Sequence, residues 1–225
     1  KTSVIKPLKP QAEIEQQGVR KTTIKLPAKL PYIVMGYKVP VLNSIEDKSE
    51  AYALEVLAGI LDGGSSARLA SRLVRGKQIA VSAGAGYSMM SRLPELFMLD
   101  ATPAEGQNVF ELEYALKQEI YELQRELVSD EELQRVKAQV LAGAVYERDS
   151  NFYQAMQLGM LETVGIGWEK VDEYVEKVNQ ITAEQIRDVA RKYLLEEKLN
   201  IAYLDPQPLK EHKQTSKVAG GRHAN

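Results

Sequence analysis

Hydrophobic and polar positions alternate at the start of the chain and then give way to a continuous apolar run. Between Arg20 and Pro27 the residues assigned to the inner face are Thr22, Ile24 and Leu26. This period of two predicts a half-buried strand, which Pro27 should end. The segment Leu30–Val39 is almost wholly apolar and rich in β-branched and aromatic residues, so it predicts a central strand.

The next segment, residues 47–61, has a helical period. Its apolar face consists of Leu54, Leu57, Ala58 and Leu61. Gly63 and Gly64 should end this helix, because glycine readily adopts the left-handed conformation found at helix ends. Ser65 or Ser66 is then in position to cap a second, shorter helix.

Two short strands are predicted after this second helix, at residues 79–87 and 95–101. Because a short loop separates them, they should pair as an antiparallel hairpin. Gly84 and Gly86 lie within the first strand, where glycine is unfavourable unless another group approaches the backbone. That group is either a neighbouring element of the fold or an extended peptide that adds to the strand edge.

The second half of the chain is predominantly helical. Apolar residues spaced by three and four predict a long helix from Val109 to Leu127, and further helices follow it. Capping boxes are predicted at two helix starts, Ser129 with Glu132 and Thr182 with Gln185. A short final strand is predicted at residues 198–204.

This order of elements favours an α+β fold. Strands followed by a run of helices indicate two layers, a mainly antiparallel sheet with helices covering one face. Residues 18–206 should form a single domain, since no polar linker divides them. Residues 1–17 are predicted to be a linker, as if a segment preceded them, and residues 207–225 a disordered tail.

Composition narrows the possible functions. The 225 residues carry a net charge of −2 with mixed signs, which argues against a nucleic-acid partner or an anionic membrane surface. The absence of cysteine excludes disulfides, thiol nucleophiles and thiolate metal sites. No apolar run approaches the roughly 20 residues of a membrane-spanning helix.

Catalytic groups are scarce. The only two histidines, His212 and His223, fall in the predicted tail, so no Ser-His-Asp triad or helical metal site is expected. The Gly63–Ser66 segment resembles an anion-binding loop, but it follows a helix and lacks the phosphate-loop lysine. A corner between two helices is the more economical interpretation.

A family resemblance gives a sharper prediction. Residues 53–87, ALEVLAGILDGGSSARLASRLVRGKQIAVSAGAGY, resemble the signature region in the C-terminal half of pitrilysin/insulinase-type (inverzincin) zinc peptidases. This group includes the mitochondrial processing peptidases and their bacterial relatives. Similar helices follow at SDEELQRVKAQVLAGAVYERDS and FYQAMQLGMLETVG, so the resemblance covers about residues 20–205.

The resemblance implies a non-catalytic domain. In such peptidases the zinc motif H-x-x-E-H lies in a homologous N-terminal domain, and this chain does not contain the motif. We therefore expect no metal or cofactor in this chain and zinc in a longer parent. Its expected partners are its own N-terminal domain, a homologous subunit in a heterodimer or homodimer, and a peptide substrate.

Two positions depart from the family pattern. Many members carry an Arg in the short helix and a Tyr seven residues later, which hold the substrate carbonyl and the developing oxyanion. The resemblance aligns these positions with Val74 and Val81, and neighbouring Arg75 is offset by about 100° on an α-helix. A partner subunit would then supply the missing pair.

The resemblance assigns no catalytic residue to this chain. The expected substrate-binding residues are Gly63, Gly64, Ser65, Ser66, Arg75, Gly84 and Gly86. The alternative function is a structural or assembly domain in a proteolytically inactive homologue. Bacterial relatives act in the cytoplasm or the periplasm, and the sequence does not choose between these compartments.

Overall fold

The computed structural model describes residues 14–209, apart from the side chains of residues 147 and 148. Five strands form one sheet in the spatial order β1-β5-β2-β4-β3. Only β1 and β5 pair in parallel, so the sheet is mainly antiparallel. The strands are β1 Arg20–Pro27, β2 Tyr32–Val39, β3 Ala80–Gly86, β4 Glu95–Pro103 and β5 Leu199–Gln207.

Helices cover one face of this sheet, which confirms the predicted two-layer α+β fold. They are α1 Lys48–Asp62, a π-helix Leu69–Gly76, α2 Val109–Arg125, α3 Asp130–Arg148, α4 Asn151–Val164, α5 Lys170–Gln180 and α6 Ala183–Tyr193, with a 3₁₀ turn at Glu196–Lys198. The sheet side chains that meet the helices are buried, for example Ile33, Met35, Phe97 and Leu99. On the opposite face, Leu96 and Met98 are exposed.

The prediction of a half-buried β1 is wrong, because every residue of the strand is exposed. β1 lies at the edge of the sheet and its backbone pairs only with β5. Lys21 attaches it to the helical layer through the carboxylate of Glu113, at 2.9 Å. Lys21 and Thr23 pair with the buried Ile201 and Tyr203 and face the helices, so Ile24 and Leu26 point to the uncovered face of the sheet. Alternation therefore identified the strand but assigned its inner face to the wrong set of residues.

The corner after α1 differs from its prediction in detail. Gly63 is needed for space, since a Cβ there would lie 2.3 Å from the carbonyl oxygen of Gly59. Gly64 adopts the positive φ, +93°. The predicted serine cap is wrong: Ser65 and Ser66 are exposed, and Arg68, already helical in conformation, precedes the π-helix with no side-chain cap.

Both predicted capping boxes are confirmed. The Glu132 N–H donates to Ser129 Oγ at 3.2 Å, and Ser129 N–H donates back to Glu132 Oε2 at 3.0 Å. The equivalent pair of bonds joins Thr182 and Gln185. These bonds satisfy backbone donors that the first turn of a helix leaves free, so they fix where α3 and α6 begin.

One helix leaves apolar side chains uncovered. Phe152, Met156 and Met160 lie four residues apart on α4, and between 42% and 79% of each is exposed. We call these three residues the α4 stripe. Among residues 14–209, none of the helices combines the length and the apolar character that a membrane-spanning segment requires.

Candidate functional site

The corner after α1 and strand β3, two separate predicted sites, lie side by side in the structure. Asp62, the last residue of α1, accepts a hydrogen bond from the Ala85 N–H at 3.2 Å. Its carboxylate also lies 3.2 Å from where a Cβ of Gly84 would be, and Asp100 Oδ1 lies 2.9 Å from the same point. The absence of a side chain at Gly84 therefore makes room for two carboxylates.

β3 forms the second edge of the sheet, since among residues 14–209 only β4 pairs with it. Ala85 directs its N–H to Asp62 and away from β4. Backbone groups alternate in direction along an antiparallel strand, so Ala83 and Ala85 face the free edge, whereas Gly84 and Gly86 face β4. Around Gly86 no other atom lies within 4 Å of the position that a Cβ would take. The edge is thus narrow and lined by small residues.

A bulge interrupts the beginning of β3. The register with β4 shifts between Ala80 and Ser82, which leaves Val81 without a partner and 58% exposed. Val74 instead packs against the hydrophobic core. Bulges re-aim a side chain locally, so Val81 projects into solvent next to the free edge.

The helix that precedes β3 is wound more loosely than an α-helix. Lys77 N–H donates to the Arg72 carbonyl at 2.8 Å, the bond from residue i+5 to residue i that defines a π-helix. Consecutive residues of such a helix are offset by somewhat less than the 100° of an α-helix, so Arg75 still points in a different direction from Val74. Arg75 is exposed at the C-terminal end of this helix, and no hydrogen bond joins it to the Gly63–Ser66 corner.

Ion pairs anchor the π-helix to the helices behind it. Arg68 forms a bidentate ion pair with Glu132, with N–O distances of 2.6 and 2.9 Å. Hydrogen bonds from Arg68 lower the pKa of Glu132 to about 2, although burial acts in the opposite direction. Arg72 binds both Glu119 and Glu122, at 2.7 and 2.6 Å.

Sequence reasoning missed a groove of about 360 Å³ between α1, β3, α3 and α5. Glu55 and Asp62 line it together with Tyr87, Gln139 and Tyr174. Oε2 of Glu55 is shielded from solvent and has no hydrogen-bond partner. Burial raises the pKa of this carboxyl to about 7, although the nearby Met89 N–H acts against the shift. The available signal was one acidic residue within the apolar segment ALEVLAG.

The donor atoms of the described residues do not fit a zinc ion. Within residues 14–209 there is no group of three or more His, Cys, Asp or Glu side chains placed to hold a metal. Both histidines, His212 and His223, lie outside the described residues. The site can therefore offer strand pairing and negative charge, and no reaction step is assigned to it.

Comparisons with known proteins find one matching family model and several similar solved structures. The model of the "Peptidase M16 inactive domain" family matches residues 2–140. A protease from Helicobacter pylori has a similar fold, with a TM-score of 0.80 and 21% identity over 89% of this chain and 47% of its own. So does the inactive peptidase domain of a proposed zinc protease from Bordetella parapertussis, with a TM-score of 0.71 and 18% identity over 85% of this chain and 98% of its own.

A third similar structure is a chain of a complex. A chain of Complex III2 from Candida albicans matches with a TM-score of 0.67 and 19% identity, over 84% of this chain and 45% of its own. This chain therefore spans about half the length of the Helicobacter and Candida chains. No curated protein sequence matches it. The family match covers more than half of the sequence and confirms the resemblance drawn from residues 53–87: the chain belongs to the family of M16 peptidase inactive domains.

Proposed function

We propose that this chain is the non-catalytic C-terminal domain of a zinc-dependent metalloendopeptidase and forms one wall of its peptide-binding cleft. The zinc site lies in an N-terminal domain of the parent protein. The family match and the fold shared with the Bordetella domain support this assignment. Zinc would supply the activated water for peptide hydrolysis there, while this domain holds and orients the chain to be cut.

The main structural observation behind this proposal is the free edge of β3. Extended peptides commonly bind by adding a strand to an exposed sheet edge, where backbone hydrogen bonds supply much of the affinity. At this edge Ala83 offers an N–H and a carbonyl, and Ala85 offers a carbonyl. The Ala85 N–H is held by Asp62 at 3.2 Å, so a peptide that used it would replace this carboxylate. The absence of bulky side chains lets another backbone approach.

Amide hydrogen exchange tests strand addition directly. Adding a short acetylated and amidated peptide to the 225-residue chain should slow exchange of the Ala83 amide, because the peptide carbonyl becomes its acceptor. The amides of Gly84 and Gly86 face β4 and provide an internal control, since the peptide should leave them unchanged. Equal protection of all three amides, or of none, would contradict an added strand at this edge.

The parent protein provides the test of activity. We expect its N-terminal segment to contain H-x-x-E-H and the purified parent to cleave peptides until a chelator removes zinc. Because Val74 and Val81 cannot donate the hydrogen bonds that the resemblance assigns to Arg and Tyr, cleavage should require a homologous subunit that carries both. One tightly held zinc per isolated 225-residue chain would show that the metal has been assigned to the wrong domain.

The alternative function is a structural domain in an assembly. The exposed α4 stripe favours it, since contiguous apolar side chains on a surface commonly mark contacts with other proteins. The fold shared with a chain of Candida albicans Complex III2 supports the same idea. A parent protein without H-x-x-E-H and without chelator-sensitive cleavage would favour this alternative over the peptidase domain.

A further inference from the structure

Glu55 differs from three other partly or fully buried glutamates of the helical layer because no basic side chain of residues 14–209 is in contact with it. Glu113, Glu119 and Glu132 each contact a basic side chain, respectively Lys21, Arg72 and Arg68. For Glu55, by contrast, Oε2 has neither a hydrogen-bond partner nor contact with solvent. A shielded polar atom normally has a hydrogen-bond partner, so Oε2 of Glu55 is an acceptor with room for one further donor.

Two acidic side chains, Glu55 and Asp62, line the groove. Asp62 lies seven residues later on the same face of α1, about 10 Å along the helix axis. No Lys, Arg or His side chain of the described residues lines the groove. The other titratable groups that face it are Tyr87 from the end of β3 and Tyr174 from α5. The electrostatic potential inside the groove therefore favours a cation.

The groove also has space for a long side chain. Gly59 and Gly143 contribute no side chains to its walls, and no atom lies within 4 Å of where a Cβ of Gly143 would be. Its volume of about 360 Å³ is at the lower end of the range for ligand pockets. One extended basic side chain would fill much of it, whereas a folded partner would not fit.

The position of the groove connects it to the free edge of β3. Ala85, Gly86 and Tyr87 form one of its walls, so the groove opens where a peptide strand would be added. Alternate side chains of an added strand point to the face of the sheet that the helices cover. A side chain at such a position would point toward the helical layer, where Glu55 and Asp62 line the groove.

We propose that this groove binds one lysine or arginine side chain of a peptide, with Glu55 as its counter-ion, an assignment that rests on the peptide-binding function proposed above. The basic group replaces the missing partner of Oε2, and Asp62 adds to the negative potential at the groove mouth. The domain then selects peptides by charge at one position and holds the remainder through backbone hydrogen bonds.

This pairing should depend on pH. Burial holds the pKa of Glu55 near 7 when the groove is empty, so the carboxyl is largely protonated below that value. A guanidinium next to it favours the ionised form, so binding releases a proton. The other titratable groups that face the groove are Asp62, Tyr87 and Tyr174, and burial raises the pKa of Tyr87 well above this range. Affinity for a basic peptide should therefore rise between about pH 6 and pH 8.

Two peptides that differ only in charge provide the test. The first has arginine at its centre, and the second has citrulline, a neutral group of nearly the same shape. The 225-residue chain should bind the arginine peptide about tenfold more tightly at about pH 8, as a charge-assisted hydrogen bond implies. Glu55→Gln should abolish this ratio. Glu131→Gln, which changes an exposed glutamate of α3, should preserve it.

The outcomes separate this inference from the proposed function. Equal binding of both peptides overturns the cation pocket but leaves peptide binding intact. If neither peptide binds, the peptide-binding function is overturned, and the small probes N-acetylargininamide and N-acetylcitrullinamide decide on the pocket alone. Chemical-shift changes around Glu55 with the arginine probe only would support the pocket. No change with either probe would overturn it.

Discussion

Replacing Arg68 by methionine should lower the free energy of unfolding by about 3–5 kcal/mol, as expected when one partner of a buried ion pair is removed. Arg68 is 8% exposed and holds both oxygens of the Glu132 carboxylate. Methionine keeps much of the packing volume but leaves Glu132 charged without its cation. Urea unfolding measured near neutral pH would give the difference.

Two further variants identify the cause of this loss. Arg75→Met removes an exposed arginine from the π-helix that follows Arg68 and should change stability by less than about 0.5 kcal/mol. Adding Glu132→Gln to Arg68→Met should recover part of the loss, because the unpaired charge is then gone. A double variant that is no more stable than Arg68→Met alone would mean that packing, and not charge, makes Arg68 important.

The pH dependence of the same pair follows from the lowered pKa of Glu132, about 2 in the folded chain. A group whose folded pKa is depressed stabilises the fold fully above its unfolded pKa, near 4.5. That stabilisation is lost as the pH falls from about 4.5 to about 2. In Arg68→Met most of this acid-sensitive component should be absent, so the stability difference from the wild type should shrink in acid.

Elements with strong local signals were predictable from the sequence. The central strand β2, the β3–β4 hairpin and the capping boxes of α3 and α6 follow from periodicity and short-range hydrogen bonding, which are properties of neighbouring residues. The layer order follows in turn, because strands succeeded by helices have few ways to bury their apolar faces. A local pattern and the global fold agree at these positions.

Features that depend on distant residues were not predictable in this way. The sequence identifies Glu132 as part of a capping box, but its contact with Arg68, 64 residues away, arises only because the chain folds so that Arg68 lies beside the first turn of α3. The π-helix has an ordinary apolar pattern and gives no sign of its looser winding. Likewise, the contact of Asp62 with Ala85 requires that α1 end beside the edge of β3.

The candidate site combines both kinds of information. The sequence alone identified the glycines at positions 63, 64, 84 and 86 as candidates, and the resemblance connected these positions with a peptide-binding cleft. Only the structure shows that Gly84 accommodates the carboxylates of Asp62 and Asp100, while the space beside Gly86 is open. Glu55 was counted in no predicted site, because one acidic residue in an apolar helix does not reveal whether a cation reaches it.

Glu55→Gln should stabilise the isolated chain at and above neutral pH. The pKa of Glu55 is about 7 in the folded state, compared with 4.5 for a solvated glutamate. A raised folded pKa gives stability that is fully present below the unfolded value and is lost as the pH rises through the folded value. This difference corresponds to a loss of about 3 kcal/mol between pH 4 and pH 8 that glutamine would not suffer. The gain at pH 8 should be about 2 kcal/mol, since a buried amide also lacks a partner.

Urea unfolding of both proteins across this range would isolate the contribution of Glu55, because all other titrating groups are shared and cancel in the difference. The stability of Glu55→Gln relative to the wild type should rise from about pH 5 upward. Arg68→Met should instead fall further below the wild type as the pH rises from about 2 to about 4.5, so the two variants differ in the sign of the effect and in its pH range. Glu131→Gln should give a curve parallel to that of the wild type. Parallel curves for Glu55→Gln would show that Glu55 ionises as easily in the folded chain as in water, and therefore that the groove needs no cation.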